Sequence, residues 1–240
     1  MEGRILFIPP IERFPYPNLV FTPFLIKRID NFRPKRILFD VGIQELFGEL
    51  GYTDYPQWYI DRHVYLVKEL VKRFGDNLFP IIPDYPPEWK GKRLRHQVEK
   101  GLEMIKLYRK FDFANWLPVI QWEWGNLGSF KRSLLAYAPF IDEFERVAIA
   151  GGLLSRNKRT FGVALKLARR EFPSKWIHAL GLNLTHKRYV NPSDIDSFDT
   201  SAVKPPKGSS DYARLVGQKN EFYIARQLNK LSDAYGPLVE

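Results

Sequence analysis

Short apolar runs alternate with longer segments of helical period along most of this 240-residue sequence. Each run is nearly continuous in apolar character and does not alternate with polar residues. Such runs are typical of strands that are buried on both faces of a parallel sheet. Six runs are clear, and a seventh candidate precedes the last part of the chain. They are residues 5–8, 37–39, 78–82, 117–120, 147–150, 177–182 and, as the seventh, 195–199.

Between these runs, apolar residues recur every three or four positions, as they do on the buried face of a helix. In the first such segment, Ile60, Val64, Val67 and Val71 share one face. Pro173 is expected to end the fourth helical segment, residues 157–171. The segments that the pattern predicts to be helical are 57–74, 92–110, 128–141, 157–171 and about 210–231.

A strand followed by a helix, repeated along a chain, implies right-handed crossovers and a parallel sheet. Seven or eight such units in 240 residues favour a (β/α)8 barrel of the TIM type over an open sheet. The pattern leaves one unit unplaced, in residues 10–30 or 41–56, which are rich in Pro, Gly and aromatic residues. Because no linker is evident, we predict a single domain over residues 1–240.

The charge balance is compatible with a polyanionic partner. The chain has 37 Lys and Arg against 27 Asp and Glu, which gives a net charge of +10 and a pI near 9.6. A positive field attracts nucleic acid through the release of counterions. A basic solvated surface without a partner would give the same composition, so the charge alone leaves both readings open.

Cysteine is absent, and the four His are scattered without metal-ligand spacing. These facts exclude disulfides, thiolate metal sites and a Cys nucleophile, and we predict a protein without a metal or cofactor. No apolar run approaches the roughly 20 residues of a membrane-spanning helix, and the first residues lack the sections of a secretory signal. We therefore expect a cytoplasmic protein without membrane contact. The oligomeric state stays open.

Polar residues follow the ends of the predicted strands, where a (β/α)8 barrel carries its catalytic groups. Strand-end Asp residues can simply cap the next helix, and a Gly-Gly pair can simply permit a tight turn. As a set, however, they place three carboxylates, an amide and a Gly-Gly pair at one rim. These residues are Asp40, Asp84, Asp199, Gln121, Gly151 and Gly152.

Such a rim suits cleavage of a bond between a sugar and a flat base. Two carboxylates at one site can divide the roles of nucleophile and acid/base. Asp and Gln side chains can read the edge of a base, and glycines let the backbone approach it. Tyr85, Trp122 and Trp124 could sandwich a flat ring. We therefore predict cleavage at a glycosidic carbon that bears a purine.

Five segments, in order, resemble motifs of the tRNA-guanine transglycosylases and their DNA-modifying relatives, which exchange a guanine for a 7-deazaguanine. Residues 37–44 (ILFDVGIQ) resemble the family's Asp-Ser-Gly-Gly-Phe-Gln segment, and residues 81–87 (IIPDYPP) its Asp-Glu-Cys-Thr-Pro segment. Residues 117–121 (LPVIQ) resemble its Ile-Val-Gln-Gly-Gly strand. Residues 140–153 (FIDEFERVAIAGGL) resemble its Phe-Asp-Gly-Tyr-Ala-Ile-Gly-Gly-Leu stretch, and residues 195–200 (IDSFDT) its Asp-Met-Phe-Asp-Cys run.

The resemblance implies a role for each matching residue. Asp199 matches the nucleophile that attacks C1′ and forms a covalent nucleoside intermediate. Asp40 matches the second carboxylate, which handles protons. Asp84 matches the residue that reads the guanine edge, and Gln121 matches the amide at the base carbonyl. The matching residues whose backbone approaches the base are Gly151, Gly152 and Leu153.

The sequence departs from the family pattern at several points. Val41 stands where the family has Ser, and Trp122 stands where it has Gly. The family's zinc-binding Cys cluster is absent, so we expect a barrel without the zinc-binding subdomain. About 40 residues follow Asp199, so we also expect no appended RNA-binding domain. The expected absence of these two parts favours a compact enzyme that acts on DNA.

The resemblance also implies two kinds of partner. One is a nucleic acid, with DNA favoured and tRNA the close alternative. The other is the free base, either guanine or a 7-deazaguanine of the preQ0 type. Basic residues near the end of the chain would hold the phosphates. The candidates are Lys204, Lys207 and Arg214.

Two other classes of function stay open. A metal-free glycoside hydrolase could act through Asp40 and Asp199 if their carboxyl groups lie about 5–9 Å apart. A non-catalytic barrel could bind nucleic acid through its basic surface alone. The second would bind equally well when both carboxylates are replaced.

Overall fold

The protein has a mixed α/β fold built on parallel sheets. The computed structural model describes residues 3–11, 14–89, 92–93, 96–152, 157–200, 203 and 219–239. Within these residues, no helix is both long enough and apolar enough to cross a lipid bilayer.

The regular elements alternate along the chain much as the hydrophobic pattern predicts. The strands are β1 (Ile5–Phe7), β2 (Asn18–Phe21), β3 (Arg36–Phe39), β4 (Leu78–Pro80), β5 (Glu88–Trp89), β6 (Lys92–Arg93), β7 (Val119–Ile120), β8 (Arg146–Ile149), β9 (Trp176–Ala179) and β10 (Ser197–Asp199). The α-helices are α1 (Gln57–Phe74), α2 (Gln97–Tyr108), α3 (Leu127–Ile141), α4 (Lys158–Glu171) and α5 (Lys219–Tyr235).

Eight of the strands belong to two parallel sheets. One sheet has the order β1-β10-β9-β8-β7, and the other has the order β2-β3-β4. Single parallel bridges, Ile8 with Leu19 and Ile81 with Leu117, connect residues in or next to the edge strands of the two sheets. The short strands β5 and β6 form a separate antiparallel pair. Because the eight strands run parallel, their carboxyl ends all lie on the same side of the fold.

The predicted strands and helices are confirmed, with three differences in detail. The unplaced strand is β2, which falls within residues 10–30 and is followed by a short 3-10 helix (Ile26–Asn31). Helix α2 begins at Gln97, later than predicted, because β6 takes up part of the segment. Helix α5 continues to Tyr235, beyond the predicted end at 231, and residues 210–218 lie outside the described residues.

The core lies along the strands and beneath the helices. The last three residues of β3, β8 and β9 are all buried, which explains why these runs are continuously apolar. Many of the aromatic residues pack in this core. Phe7 and Phe79, for example, meet edge to face with ring centroids 5.2 Å apart. The high aromatic content of the sequence therefore serves mainly to pack the interior.

Candidate active site at the carboxyl ends of the strands

A cavity of about 190 Å³ lies where the carboxyl ends of the parallel strands meet. It brings together six of the residues that the sequence singles out, together with apolar and glycine residues from the same strand ends. The six are Asp40, Asp84, Gln121, Trp124, Gly151 and Asp199. The other lining residues are Ile43, Ile81, Pro86, Ala150, Leu180 and Gly181.

Strand register explains this convergence. Asp40 directly follows β3, Gln121 directly follows β7, and Asp199 is the last residue of β10. Asp199 lies opposite Phe7 of β1, and Asp40 donates its backbone N–H to the carbonyl at the end of β2. Residues that are distant in sequence therefore share one level at the end of the sheets.

Asp199 is held through one of its two carboxylate oxygens. Oδ1 accepts a hydrogen bond from the backbone N–H of Gly181 at 2.7 Å and lies 3.3 Å from Nε2 of His178. Among the described residues, Oδ2 has no hydrogen-bond partner, and the side chain is 24% exposed. One oxygen thus fixes the carboxylate, while the other is available to a ligand.

His178 is a site residue that the sequence alone did not reveal. Its place in a predicted strand favours a satisfied core histidine, and the ring is fully buried, with Nδ1 2.7 Å from the Ser197 hydroxyl. The sequence could not show that its other nitrogen contacts Asp199. The only signal is the pairing of β9 with β10, which sets His178 opposite Ser197, two residues before Asp199.

Asp40 can exchange protons near neutral pH. Burial raises the pKa of its carboxyl to about 7, and the nearby carboxylates of Asp84 and Asp199 add to this rise. The backbone N–H of Val41, which donates to Asp40 Oδ1 at 2.7 Å, opposes it. Because this pKa is close to neutral, both protonation states of Asp40 are populated, as an acid/base group requires.

Asp84 and Gln121 form a buried pair in the cavity wall. Gln121 donates its amide N–H to Asp84 Oδ2. Burial raises the pKa of Asp84 to about 6, and this hydrogen bond opposes the rise. Within the described part of the chain, Gln121 Oε1 and Trp124 Nε1 are buried without a hydrogen-bond partner. A buried polar atom without a hydrogen bond costs free energy. A bound ligand could supply the missing partner to each of these two atoms.

Two tyrosines hold the loops that carry the carboxylates. Tyr59, in the first turn of α1, donates its hydroxyl to the carbonyl of Val41, next to Asp40. Tyr55, just before α1, donates its hydroxyl to the carbonyl of Asp84 at 2.9 Å. Both hydroxyls thus bond to the backbone at or beside a cavity carboxylate. The loops after β3 and β4 are therefore fixed from outside the cavity.

Tyr85 does not lie where the sequence interpretation expected it. Its ring packs edge to face on Tyr55 at 5.1 Å, and its hydroxyl donates to Asp54. The Lys100 ammonium lies 5.0 Å from the ring centroid. The expectation that Tyr85 flanks the ligand is thus corrected, because Tyr85 is absent from the cavity lining that Asp84 joins.

Of the two tryptophans expected to sandwich a ring, the structure places one at the cavity. Trp122 is fully buried and donates its indole N–H to the Ala150 carbonyl at 2.8 Å, so it belongs to the core. Trp124 lines the cavity next to Gly151.

The two glycines after β8 have different roles. Gly151 has φ +114°, and a Cβ at this position would lie 2.8 Å from Cδ1 of Trp124, so a side chain is excluded beside the cavity. Gly152 donates its N–H to the Leu180 carbonyl, and a Cβ there would lie 2.5 Å from that oxygen. Gly152 is therefore a packing residue between the ends of β8 and β9, and it does not line the cavity.

Four predicted site residues fall outside the described residues. They are Leu153 and the candidate phosphate contacts Lys204, Lys207 and Arg214. In the part of the chain that is described, no group of three or more His, Asp or Glu side chains is arranged to hold a metal ion.

No protein-family model matches this sequence, and no curated protein matches it. Among solved structures, the carboxyl transferase domain of pyruvate carboxylase from Rhizobium etli, solved with pyruvate, is similar at 12% sequence identity with a TM-score of 0.45. The match covers 99% of this chain and 48% of that chain, so this chain spans about half the length of that structure. A likeness at this level does not bear on activity.

Proposed function

We propose that this protein exchanges guanine for a 7-deazaguanine of the preQ0 type in nucleic acid, with DNA as the favoured polymer. The observation that carries the proposal is the meeting of Asp40, Asp84 and Asp199 with Gln121 around one small cavity. These are the residues that resemble the nucleophile, the proton-handling carboxylate and the base-reading groups of the guanine transglycosylases. The proposal requires no metal or cofactor.

The fold proposed for this enzyme is a closed (β/α)8 barrel. The support comes from the two parallel bridges, Ile8 with Leu19 and Ile81 with Leu117, which connect both free edges of the five-stranded sheet to the three-stranded one. A barrel in which β1 neighbours β2 and β4 neighbours β7 would place the eight parallel strands in chain order around a circle. Catalytic groups at the carboxyl ends are what such a barrel requires.

The first half of the reaction forms a covalent intermediate. Asp199 Oδ2 attacks C1′ of the target nucleotide, and the bond between C1′ and guanine N9 breaks with its electron pair going to the base. Protonated Asp40 gives its proton to the departing guanine. Asp199 Oδ1 remains held by Gly181 and His178, so the attacking oxygen keeps its orientation during the step.

The second half reverses these roles. The incoming 7-deazaguanine loses its N9 proton to the Asp40 carboxylate, and its N9 electron pair forms the new bond to C1′. The bond between C1′ and Asp199 then breaks and restores the free carboxylate. Asp40 ends the cycle protonated, as it began, so the exchange consumes no proton and no external energy source.

Recognition of the base is assigned to the Asp84–Gln121 pair. Guanine carries N–H donors on its Watson–Crick edge and the acceptors O6 and N7 on the adjoining edge. Asp84 and the unpartnered Gln121 Oε1 offer acceptors, and Trp124 Nε1 offers a donor. A cavity of about 150 Å³ is sufficient for benzene, so a cavity of about 190 Å³ suits one small flat ring system.

The cavity admits a base only after it has left its stack. A base inside a duplex must flip out, at a cost of a few kcal/mol, whereas a single strand avoids most of this cost. We therefore expect faster exchange on single-stranded DNA than on duplex DNA of the same sequence.

The direct test is incorporation of labelled guanine into a polymer by the purified protein. We expect radiolabel in single-stranded DNA, with tRNA and duplex DNA as parallel substrates, and we expect unlabelled preQ0 to compete. Incorporation into tRNA alone would support the same chemistry with the other polymer. Absence of label from all three, while a simple glycoside is hydrolysed, would contradict the proposal and favour a hydrolase acting through the same carboxylates.

A second prediction concerns His178. Replacement by phenylalanine keeps a ring against Phe7 and Trp176 but removes the contact with Asp199. Because a displacement of about 1 Å can cost about 10²-fold in rate, we expect kcat for exchange to fall by that order. The KM for the free base should stay unchanged, since His178 does not line the cavity.

Two companion variants separate positioning from folding. His178→Gln keeps a donor of similar reach and should recover part of the rate. Ser197→Ala removes the partner of His178 Nδ1 while leaving the contact with Asp199, so it reports the effect of the lost hydroxyl alone. Equal rates for His178→Phe and the wild type, at equal folded fractions by circular dichroism, would show that the contact does not position Asp199.

A further inference from the structure

The charge of this protein is concentrated in one stretch of sequence. Residues 151–193 contain nine Lys and Arg and a single acidic residue, Glu171. This stretch includes the loop after β8, helix α4, strand β9 and the loop after β9. Gly151 and Gly181, at the beginning of the two loops, both line the cavity. Both loops of this basic stretch therefore begin at the candidate active site.

Helix α4 packs on the loop after β9. Lys158, the first residue of α4, donates its ammonium to the Gly152 carbonyl at 3.3 Å. The ring of Phe161 meets that of His186 at 5.5 Å, and a Cβ on Gly162 would lie 2.0 Å from the Tyr189 carbonyl oxygen. The first two turns of α4 thus pack directly on residues 186–189.

The cations at the two ends of α4 have different surroundings. Near its carboxyl end, Arg169 pairs with Asp196 and bonds to the Lys175 carbonyl, so it ties the fold together. Near its amino end, Arg159 is exposed, and so are Lys187 and Arg188 of the adjacent loop. Among the described residues, none of these three forms an ion pair.

We propose that this surface binds a single-stranded stretch of nucleic acid beside the target nucleotide. Its residues, which we name the cationic rim, are Lys158, Arg159, Lys187, Arg188 and Tyr189. The proposal rests on the proposed function, because the cavity at Gly151 defines where the target nucleotide lies. It adds a described surface to the candidate phosphate contacts Lys204, Lys207 and Arg214, which lie outside the described residues.

The chemistry of the rim favours nucleic acid over other polyanions. Sites for single strands combine cations that follow the phosphates with aromatic rings on which bases stack. Tyr189 supplies such a ring, since it is 46% exposed and lies directly after Lys187 and Arg188. Lys158 is anchored at the carbonyl of Gly152, directly after the cavity residue Gly151, so one cation of the rim lies near the cavity edge.

The test is the salt dependence of binding to a short fluorescein-labelled single-stranded DNA, followed by anisotropy. Each phosphate contact with a single strand contributes about 0.7 to the slope of log K against log salt. For Lys187→Gln/Arg188→Gln we expect weaker binding and a slope smaller by about 1.4 than that of the wild type between about 50 and 200 mM salt.

The matched control is Lys110→Gln/Arg170→Gln. These residues are also exposed, and they are also one Lys and one Arg. Lys110 lies just after α2 and Arg170 lies in the last turn of α4, both at the opposite end of the strands from the cavity. The control carries the same loss of charge and should keep the wild-type slope. Equal slopes for the two double variants, or a wild type that binds anionic phospholipid vesicles but not the oligonucleotide, would overturn the proposal.

Tyr189 gives an independent readout. Tyr189→Phe keeps a stacking ring and should bind as the wild type does, whereas Tyr189→Ser should bind about tenfold more weakly with an unchanged salt slope.

Failure of the proposed function is distinguishable from failure of the rim. If the wild type binds DNA and the cationic-rim variants bind it more weakly, but no guanine is incorporated, only the proposed function is contradicted. If guanine is exchanged and the cationic-rim variants bind DNA as the wild type does, only the rim proposal is contradicted.

Discussion

Replacement of Asp199 by asparagine is expected to abolish covalent capture of the nucleic acid. The amide is not a nucleophile, so C1′ receives no attack and guanine stays bound to its sugar. Loss of a group that makes the bond itself typically costs about 10⁴- to 10⁶-fold, which places the variant below detection in a guanine-incorporation assay. Asparagine retains an oxygen that can accept the N–H of Gly181, so the fold should be preserved.

The measurement is a denaturing gel, with mass spectrometry, of protein incubated with DNA that contains guanine. Wild-type protein should carry a nucleic-acid adduct on the peptide that includes Asp199, and the variant should carry none. Asp112→Asn, an equivalent change at an exposed residue before β7, serves as the control and should form the adduct normally. Guanine exchange at the wild-type rate by Asp199→Asn would rule out the proposed mechanism.

The second large effect is a pH dependence that belongs to Asp40. Because burial and the neighbouring carboxylates raise its pKa to about 7, Asp40 is protonated below that pH and ionised above it. Formation of the adduct needs the protonated form, so its single-turnover rate should fall above about pH 7. General acid catalysis contributes about 10²- to 10⁴-fold to a rate. We therefore expect the single-turnover rate of Asp40→Asn to fall by that factor and its pH profile to have no inflection near pH 7. An inflection that persists in this variant would assign it to another group.

The neighbouring carboxylates provide a check on the cause of this pKa. Asp84 raises the pKa of Asp40 through its charge, so Asp84→Asn should move the inflection of the pH profile to lower pH. Closely coupled carboxylates titrate as a group, so the shift belongs to the cluster as a whole. An inflection that does not move would show that burial alone sets the proton affinity of Asp40.

The same raised pKa predicts the stability of the Asp40→Asn variant. A carboxyl whose pKa is higher in the folded state contributes stability below its unfolded pKa, near 3.8, and loses that contribution as the pH rises through about 7. The variant should therefore be more stable than the wild type at pH 8 and similar to it at pH 4. Each pKa unit corresponds to about 1.4 kcal/mol, so thermal unfolding at the two pH values can resolve the difference.

Much of the fold could be predicted because buried parallel strands and amphipathic helices leave strong periodic patterns. Helix α1 was predicted with its observed bounds, since four apolar residues recur on one face. Strand β2 could not be placed, because it lies among Pro and aromatic residues and no α-helix follows it directly. Helix α2 was predicted too long, because the pairing of β5 with β6 leaves no periodic signal.

The candidate site was predictable where a residue type and a strand end coincided, as at Asp40, Gln121 and Asp199. The site was not predictable where the direction of a side chain determines whether a residue lines the cavity. Asp84 and Tyr85 are adjacent in sequence, yet one lines the cavity and the other packs behind it. The contact of His178 with Asp199 depends on the register between two strands, and a single sequence does not encode that register in any local pattern.

The hydroxyls of Tyr55, just before α1, and of Tyr59, in its first turn, connect the amino end of this helix to the loops that carry Asp84 and Asp40. Both bond to the backbone at or beside a cavity carboxylate, so a small tilt of the amino end of this helix moves Asp40 and Asp84 together. Their separation from Asp199 then changes, and with it the charge repulsion that adds to the effect of burial on the pKa of Asp40. Substitutions on the outer surface of α1 therefore offer a way to change the acidity of the site without replacing any residue that lines the cavity.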